Sequence, residues 1–230
     1  RDGDDLIDHI YFGDLGGQVF RADLNNEIGT TTANFGKRVV RLANLATTDT
    51  GSTLTLGKNP RFYEAPTVTI HRQDAYSFIL VGLASGNRST PLDVYPTVGR
   101  DGVLPSSALT DRLVNNVYGV IDRDFSKKDL ISGSPTLDSK DKTLANMQKD
   151  PQKLTGNIPA VFVGATPTKD GWYRSLSSKS DGTETAPGFR VAGGMKAFEE
   201  PLAIAGNLIV PVYDPQGTGI APQNPCLPRV

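Results

Sequence analysis

Four aspartates, Asp2, Asp4, Asp5 and Asp8, crowd the start of the chain, with Gly3 among them. Carboxylates packed this closely repel one another by roughly 1 kcal/mol per near pair even in water. A hard cation relieves the repulsion. Calcium takes about six to eight oxygen ligands, and short Asp-rich loops bent at a glycine supply them from side chains and carbonyls together. The run DGDDLID matches the later positions of a D-x-D-x-D-x-x-x-D loop. On that alignment Asp2, Asp4 and Asp8 are side-chain ligands for Ca2+, and Leu6 contributes its main-chain carbonyl. Asp5 stands where small residues are usual and points to solvent. The first ligand position of such a loop falls just before Arg1. The competing reading is a solvated acidic segment that holds no ion.

Little else in the chain carries chemistry. His9 and His71 are the only histidines, and a zinc site needs three or four ligands, so both are expected to be structural. Asp122 and Asp124 flank Arg123. A general acid and base are conceivable there, but a surface turn with local ion pairing is the favoured reading. There is no G-x-S-x-G elbow, no P-loop and no G-x-G-x-x-G. The GDLGG segment at Gly13–Gly17 is a hairpin turn rather than a phosphate cradle, because no helix follows it. Trp172 and Tyr173 are expected to pack in a strand, with sugar stacking as the minor alternative. The chain is read as a binding or scaffold protein, not an enzyme.

The elements that position these residues are strands. The acidic run leads into IYFGD, the Gly16-Gly17 turn signal and QVFRADL, two strands and a tight turn. Lys37 to Asn44 is a further strand. TVTIHR, from Thr67, alternates in the period-2 pattern of a half-buried strand. Tyr76 to Leu83 reads as a buried strand, and NVYGVID at Asn116 to Asp122 as another. Asp170 to Leu176 gives a turn and a strand. Phe189 to Val191 and Leu202 to Tyr213 add more, the latter split at Gly206-Asn207. Residues 126–157, rich in Lys, Asp and Ser, form an insertion with short helices, for example around Lys142 to Gln148. Its mixed charge suits a solvated surface, with partner docking as the alternative.

Composition agrees with an all-β chain: 24 Gly and 16 Pro among 230 residues imply many turns and long loops. GGQVFRADL, NNVYGVIDR and DGWYRSL share a loose form, which makes a degenerate repeat. Repeated four-stranded units point to a β-propeller, with a blade taking roughly 40–45 residues. A β-sandwich is the competitor. The 24 basic and 25 acidic residues leave a net charge of −1, without the basic footprint of a nucleic-acid binder. No apolar run reaches the roughly 20 residues of a membrane span. A chain that opens on Arg1 is expected to be a segment of something longer. Its lone cysteine, Cys226, is either a free thiol or pairs outside the segment.

The run DGDDLIDHIYFGDLGGQVFRADL resembles a signature of the PilY family, the type IV pilus-associated adhesins also called PilC. In that family an Asp-rich calcium loop runs into a blade, with Trp where this chain has Phe20. RFYEAPTV, FILVGLASGNRSTPLD, NNVYGVIDRD, DGWYRSL and LAIAGNLIVPVYDP resemble later family segments in the same order. The resemblance implies a modified, quinoprotein-like β-propeller from the C-terminal part of a secreted pilus-biogenesis factor. It implies a place at the pilus tip, cell surface, outer membrane or periplasm of a Gram-negative bacterium, beside minor pilins. Pilus extension and retraction, twitching motility and adhesion to a host or other surface would be its work, with calcium as regulator. The metal role carries over only to Asp2, Asp4, Leu6 and Asp8. Cys226 would pair with a cysteine past residue 230. Two rivals stand beside this reading: a quinoprotein-like propeller enzyme, and a generic carbohydrate- or surface-binding β-domain.

Overall fold

The computed structural model of the chain describes residues 6–25, 35–54, 58–89, 91, 115–127, 130, 133–152, 156–176 and 195–213. These residues are all-β, with almost no helix and several sheets that do not close on one another. The first sheet is an antiparallel meander of β1 (His9–Gly13), β2 (Gln18–Leu24) and β3 (Gly36–Asn44). The second contains β4 (Thr67–Gln73), β5 (Tyr76–Ala84), β6 (Asn116–Asp122), β7 (Gln148–Lys149) and β8 (Gly171–Ser175), in the order β4-β5-β6-β8-β7. A separate hairpin pairs β9 (Leu202–Ile204) with β10 (Asn207–Ile209). Its turn is Ala205-Gly206, one residue earlier than the sequence suggests. The strand expected at Phe189 to Val191 lies outside the described residues.

The β1–β2 turn forms where the glycine pair predicts it. Asp14 caps it by accepting the amides of Gly16 and Gln18 at 2.9 and 2.7 Å. Gly17 is required there: its φ is 83°, and a Cβ would lie 2.8 Å from Pro60. Period-2 alternation then sends Val19, Arg21 and Asp23 to one face of β2, all buried. Val19, with Val40 and Leu42 of β3, meets Ile79, Val81, Tyr118 and Val120 of the second sheet. The main core therefore lies between the two sheets.

The segment expected to hold short helices stitches those sheets together. Lys142 runs parallel to β3, and the Asn44 amide donates to its carbonyl at 2.7 Å. One 3-10 turn, Leu144–Asn146, follows, with Leu144 and Met147 in the core. The chain then joins the second sheet as β7, parallel to β8. A smaller cluster of Phe78, Ile121, Phe162 and Val163 covers the second sheet's other face, with Trp172 against it. Trp172 lies over Gly119, where a Cβ would come within 2.5 Å of the indole.

Two surfaces depart from simple amphipathicity. The outer face of the first sheet is apolar, with Ile10, Phe12 and Val39 exposed and Phe12 stacked on Phe20 at 5.2 Å. In β4 the apolar set is the more exposed one: Val68 is 42% and Ile70 71% accessible, while Thr69 and His71 are half-buried. β4 ends the wider sheet, and β9 of the separate hairpin packs against it.

Candidate functional site

Asp2 and Asp4 lie outside the described residues. Leu6 is exposed at 54%, whereas Asp8 is buried at 7% on the threshold of β1. The Leu24 amide donates to the Asp8 carbonyl at 2.9 Å, so the backbone of the last expected ligand is tied to the end of β2. The hairpin thus supplies a rigid anchor for one carboxylate. Of the expected ligand set, the described residues contribute Asp8 and Leu6. Among the described residues no three His, Cys, Asp or Glu side chains gather as a metal group.

In the strands that follow Asp8 is a constellation that motif reading missed. Arg21 is fully buried between carboxylates of both sheets. Its Nε donates to Asp23 Oδ1 at 2.6 Å and its Nη2 to Asp23 Oδ2 at 3.2 Å. Its Nη1 donates to Asp122 Oδ2 at 2.6 Å. The Tyr11 hydroxyl donates to the same Asp122 oxygen at 2.8 Å. His9 Nδ1 lies 3.0 Å from Asp23 Oδ1, and Arg38 Nε approaches Asp23 Oδ2 at 3.7 Å. The cluster ties β1, β2 and β3 to β6.

The electrostatics follow from this enclosure. Burial and then the Asp122 carboxylate push the Tyr11 hydroxyl far above its ordinary range. Burial works against the charge on Arg21, but Asp122 and Asp23 outweigh it and hold the guanidinium ionised. Burial alone would raise the Asp23 carboxyl. Hydrogen bonds from His9 and Arg21 override that and keep it below the usual carboxylate range.

The Asp122-Arg123-Asp124 run is not the surface turn expected from sequence. Asp122 and Asp124 are both fully buried, because β6 is covered on both faces and the chain beyond it turns inward. Asp122 Oδ1 accepts the Asp124 amide at 2.8 Å. Asp124 in turn accepts the amides of Asp138 and Ser139 at 3.0 and 2.7 Å. Lys127 Nζ reaches Asp124 Oδ1 at 2.9 Å. Arg123 points the other way and donates to Asp170 and to the carbonyls of Phe162 and Lys169 at 2.6–2.7 Å. The three residues clamp three loops.

The remaining candidates take structural places. His9 is packed on Asp23. His71 Nε2 lies 2.8 Å from Thr69 Oγ1, and its ring stacks on Phe78 at 5.3 Å. Tyr173 is in the main core. Among the described residues no helix is long and apolar enough to cross a membrane. A signal for the buried cluster was present in sequence: in QVFRADL, Arg21 and Asp23 share a face with Val19 rather than with Phe20. No protein-family model, curated protein or solved structure matches this chain.

Proposed function

We propose that this chain is part of a calcium-regulated type IV pilus biogenesis factor and adhesin. It would act at the pilus tip in extension and retraction, twitching motility and surface attachment, in contact with minor pilins. The pilus assignment rests on the ordered family-like segments. Their residues supply the β1–β2 hairpin, β5, β6, β8 and the β9–β10 hairpin. On this reading the two packed sheets are blades of a modified β-propeller.

The observation that carries the cation part is the seating of Asp8. It is buried, its backbone is fixed to Leu24, and it follows two further aspartates at ligand spacing. Asp2, Asp4, the Leu6 carbonyl and Asp8 would hold the ion, which would cancel their mutual repulsion. The strand that follows Asp8 is itself fixed: His9 and Tyr11 of β1 bond to Asp23 and Asp122, which Arg21 joins. Cation loss would loosen the segment and change the surface it offers to a partner.

Calorimetric titration with calcium of the chain extended upstream of Arg1, so that the first ligand position is included, tests this. Binding heat is expected, abolished by Asp4→Ala or Asp8→Ala, with magnesium much weaker. The absence of any calcium heat overturns the proposal. Co-purification of the chain with minor pilins, stronger in calcium than in chelator, tests the pilus assignment separately.

A further inference from the structure

We propose that Arg61, with Tyr63 and Ser89 beside it, binds an oxyanion group of an outside ligand: a phosphate, a sulfate or a carboxylate. Phe62 enters the main core, while its neighbours Arg61 and Tyr63 stay half-buried at the surface. Their backbone is held on two sides. The Phe62 amide donates to the Asp14 carbonyl and the Gly86 amide to the Arg61 carbonyl, each at 3.1 Å. Gly86 in turn lies so close to the Ala197 backbone that a Cβ has no room there. The two side chains are therefore presented from a fixed frame.

The charge on Arg61 is the anomaly. Arg21, Arg38, Arg41, Arg88 and Arg123 each reach a carboxylate, and Arg72 and Arg174 are exposed to water. Among the described residues, Arg61 is the one arginine that is half-buried without a carboxylate. A guanidinium carries five N–H donors, and partial burial withdraws water from them. The side chain it meets is the Tyr63 hydroxyl. Arg88 lies over the Tyr63 ring, 5.6 Å from its centre, and is paired with Glu64. Two guanidinium groups and one carboxylate leave this group of side chains with an unbalanced positive charge.

Two hydroxyls complete the site. Tyr63 Oη lies 3.4 Å from both Ser89 Oγ and Asn87 Oδ1, near the outer limit of a hydrogen bond. Neither hydroxyl is firmly committed, and both can turn to an outside acceptor. Ser89 is exposed, and its amide donates to Asn87 Oδ1 at 3.1 Å, which orders the loop. Ser89, and after it Arg61, hold the Tyr63 phenol below its ordinary range against the opposing effect of burial. A more acidic phenol is a stronger donor. A guanidinium and two hydroxyls together match a group that only accepts hydrogen bonds. The site is open at the surface, so the oxyanion can belong to a larger molecule. This inference is independent of calcium.

NMR titration of the whole chain with phosphate, sulfate and acetate, at an ionic strength fixed with chloride, tests it. The Arg61 Nε–H and Tyr63 ring signals are expected to shift together and to saturate, with half-saturation at about 1–10 mM for the best of the three ions. The ion with the lowest half-saturation identifies the source group. The Tyr63 phenol should titrate at higher pH with that ion bound, because a neighbouring negative charge opposes its ionisation. Arg61→Met is expected to raise half-saturation about tenfold, and Tyr63→Phe about threefold, as charge-assisted and neutral bonds are lost. The urea midpoint of Arg61→Met should stay at or above that of wild type, since no ion pair is lost. Shifts that grow linearly to about 100 mM for all three ions, or equal binding by Arg61→Met, overturn the proposal. So does an Arg61→Met chain that loses stability with no oxyanion present, which would make the guanidinium a structural brace.

Discussion

Replacing Arg21 with methionine removes a charge while keeping most of the side-chain volume. In the native protein the guanidinium is fully buried and spans Asp23 and Asp122 through contacts of 2.6, 3.2 and 2.6 Å. In Arg21→Met, Asp122 keeps the Tyr11 hydroxyl and the Asp124 amide, and Asp23 keeps His9 and the longer Arg38 contact at 3.7 Å. Two buried carboxylates then face each other without the cation that offset them. Removing one partner of a buried ion pair costs about 3–5 kcal/mol, and here a single cation serves two anions, so the upper half of that range is expected at neutral pH. Total stability of such a domain is about 5–15 kcal/mol, so the loss is large but measurable by urea denaturation. Adding Asp23→Asn and Asp122→Asn to Arg21→Met should recover part of the loss, because a neutral buried cluster no longer carries unpaired charge. Acid sensitivity should move with it. The depressed Asp23 carboxyl contributes its stability in full above the ordinary carboxylate range and loses it as pH falls through its folded value. Arg21→Met removes one cause of that depression and should flatten the acid limb. A cost under about 1 kcal/mol at neutral pH would refute the view that this cluster ties the two sheets together.

Gly119→Ala would press a methyl group to within 2.5 Å of the Trp172 indole. We expect a loss of about 3 kcal/mol, read from the urea midpoint and from the fluorescence of the chain's one tryptophan. Burial pushes the hydroxyls of Tyr118 and Tyr173 up to about 12 from the ordinary 10.0. Their neutral forms stabilise the fold below pH 10, and that contribution is lost as pH rises toward 12. Tyrosinate absorbance should therefore rise steeply with unfolding. Burial lowers the His71 pKa, so its stabilising contribution is present above about 6.5 and is lost as pH falls below it. Proton NMR of the His71 ring should give a midpoint below 6.5.

The hairpin, β5, β6 and β8 were legible because each pairs a clear apolar period with turn residues at its ends. Gly16-Gly17 and the alternation of QVFRADL fix both the turn and the buried face. What escaped was long-range pairing. Arg21 and Asp122 stand 101 residues apart, and nothing local in DRD distinguishes a solvated turn from a buried clamp. The reversed exposure of β4 also depends on sheet width, which TVTIHR does not encode. Lys142 to Gln148 read as a short helix, and one 3-10 turn, Leu144–Asn146, forms there, held to that length by parallel pairing with β3 on one side and β8 on the other. At the acidic segment, residue types and spacing were legible, and the structure adds the anchoring of Asp8 to Leu24.

That anchor offers the most direct test of the calcium claim, because it reports at the segment itself. The Leu24 amide is bonded to the Asp8 carbonyl, so its hydrogen exchange follows how firmly the acidic segment is held. The account predicts that saturating calcium slows Leu24 exchange at least tenfold over chelator, that magnesium does so far less, and that Asp8→Ala abolishes the difference. Leu24 exchange that is the same in calcium and in chelator would contradict it.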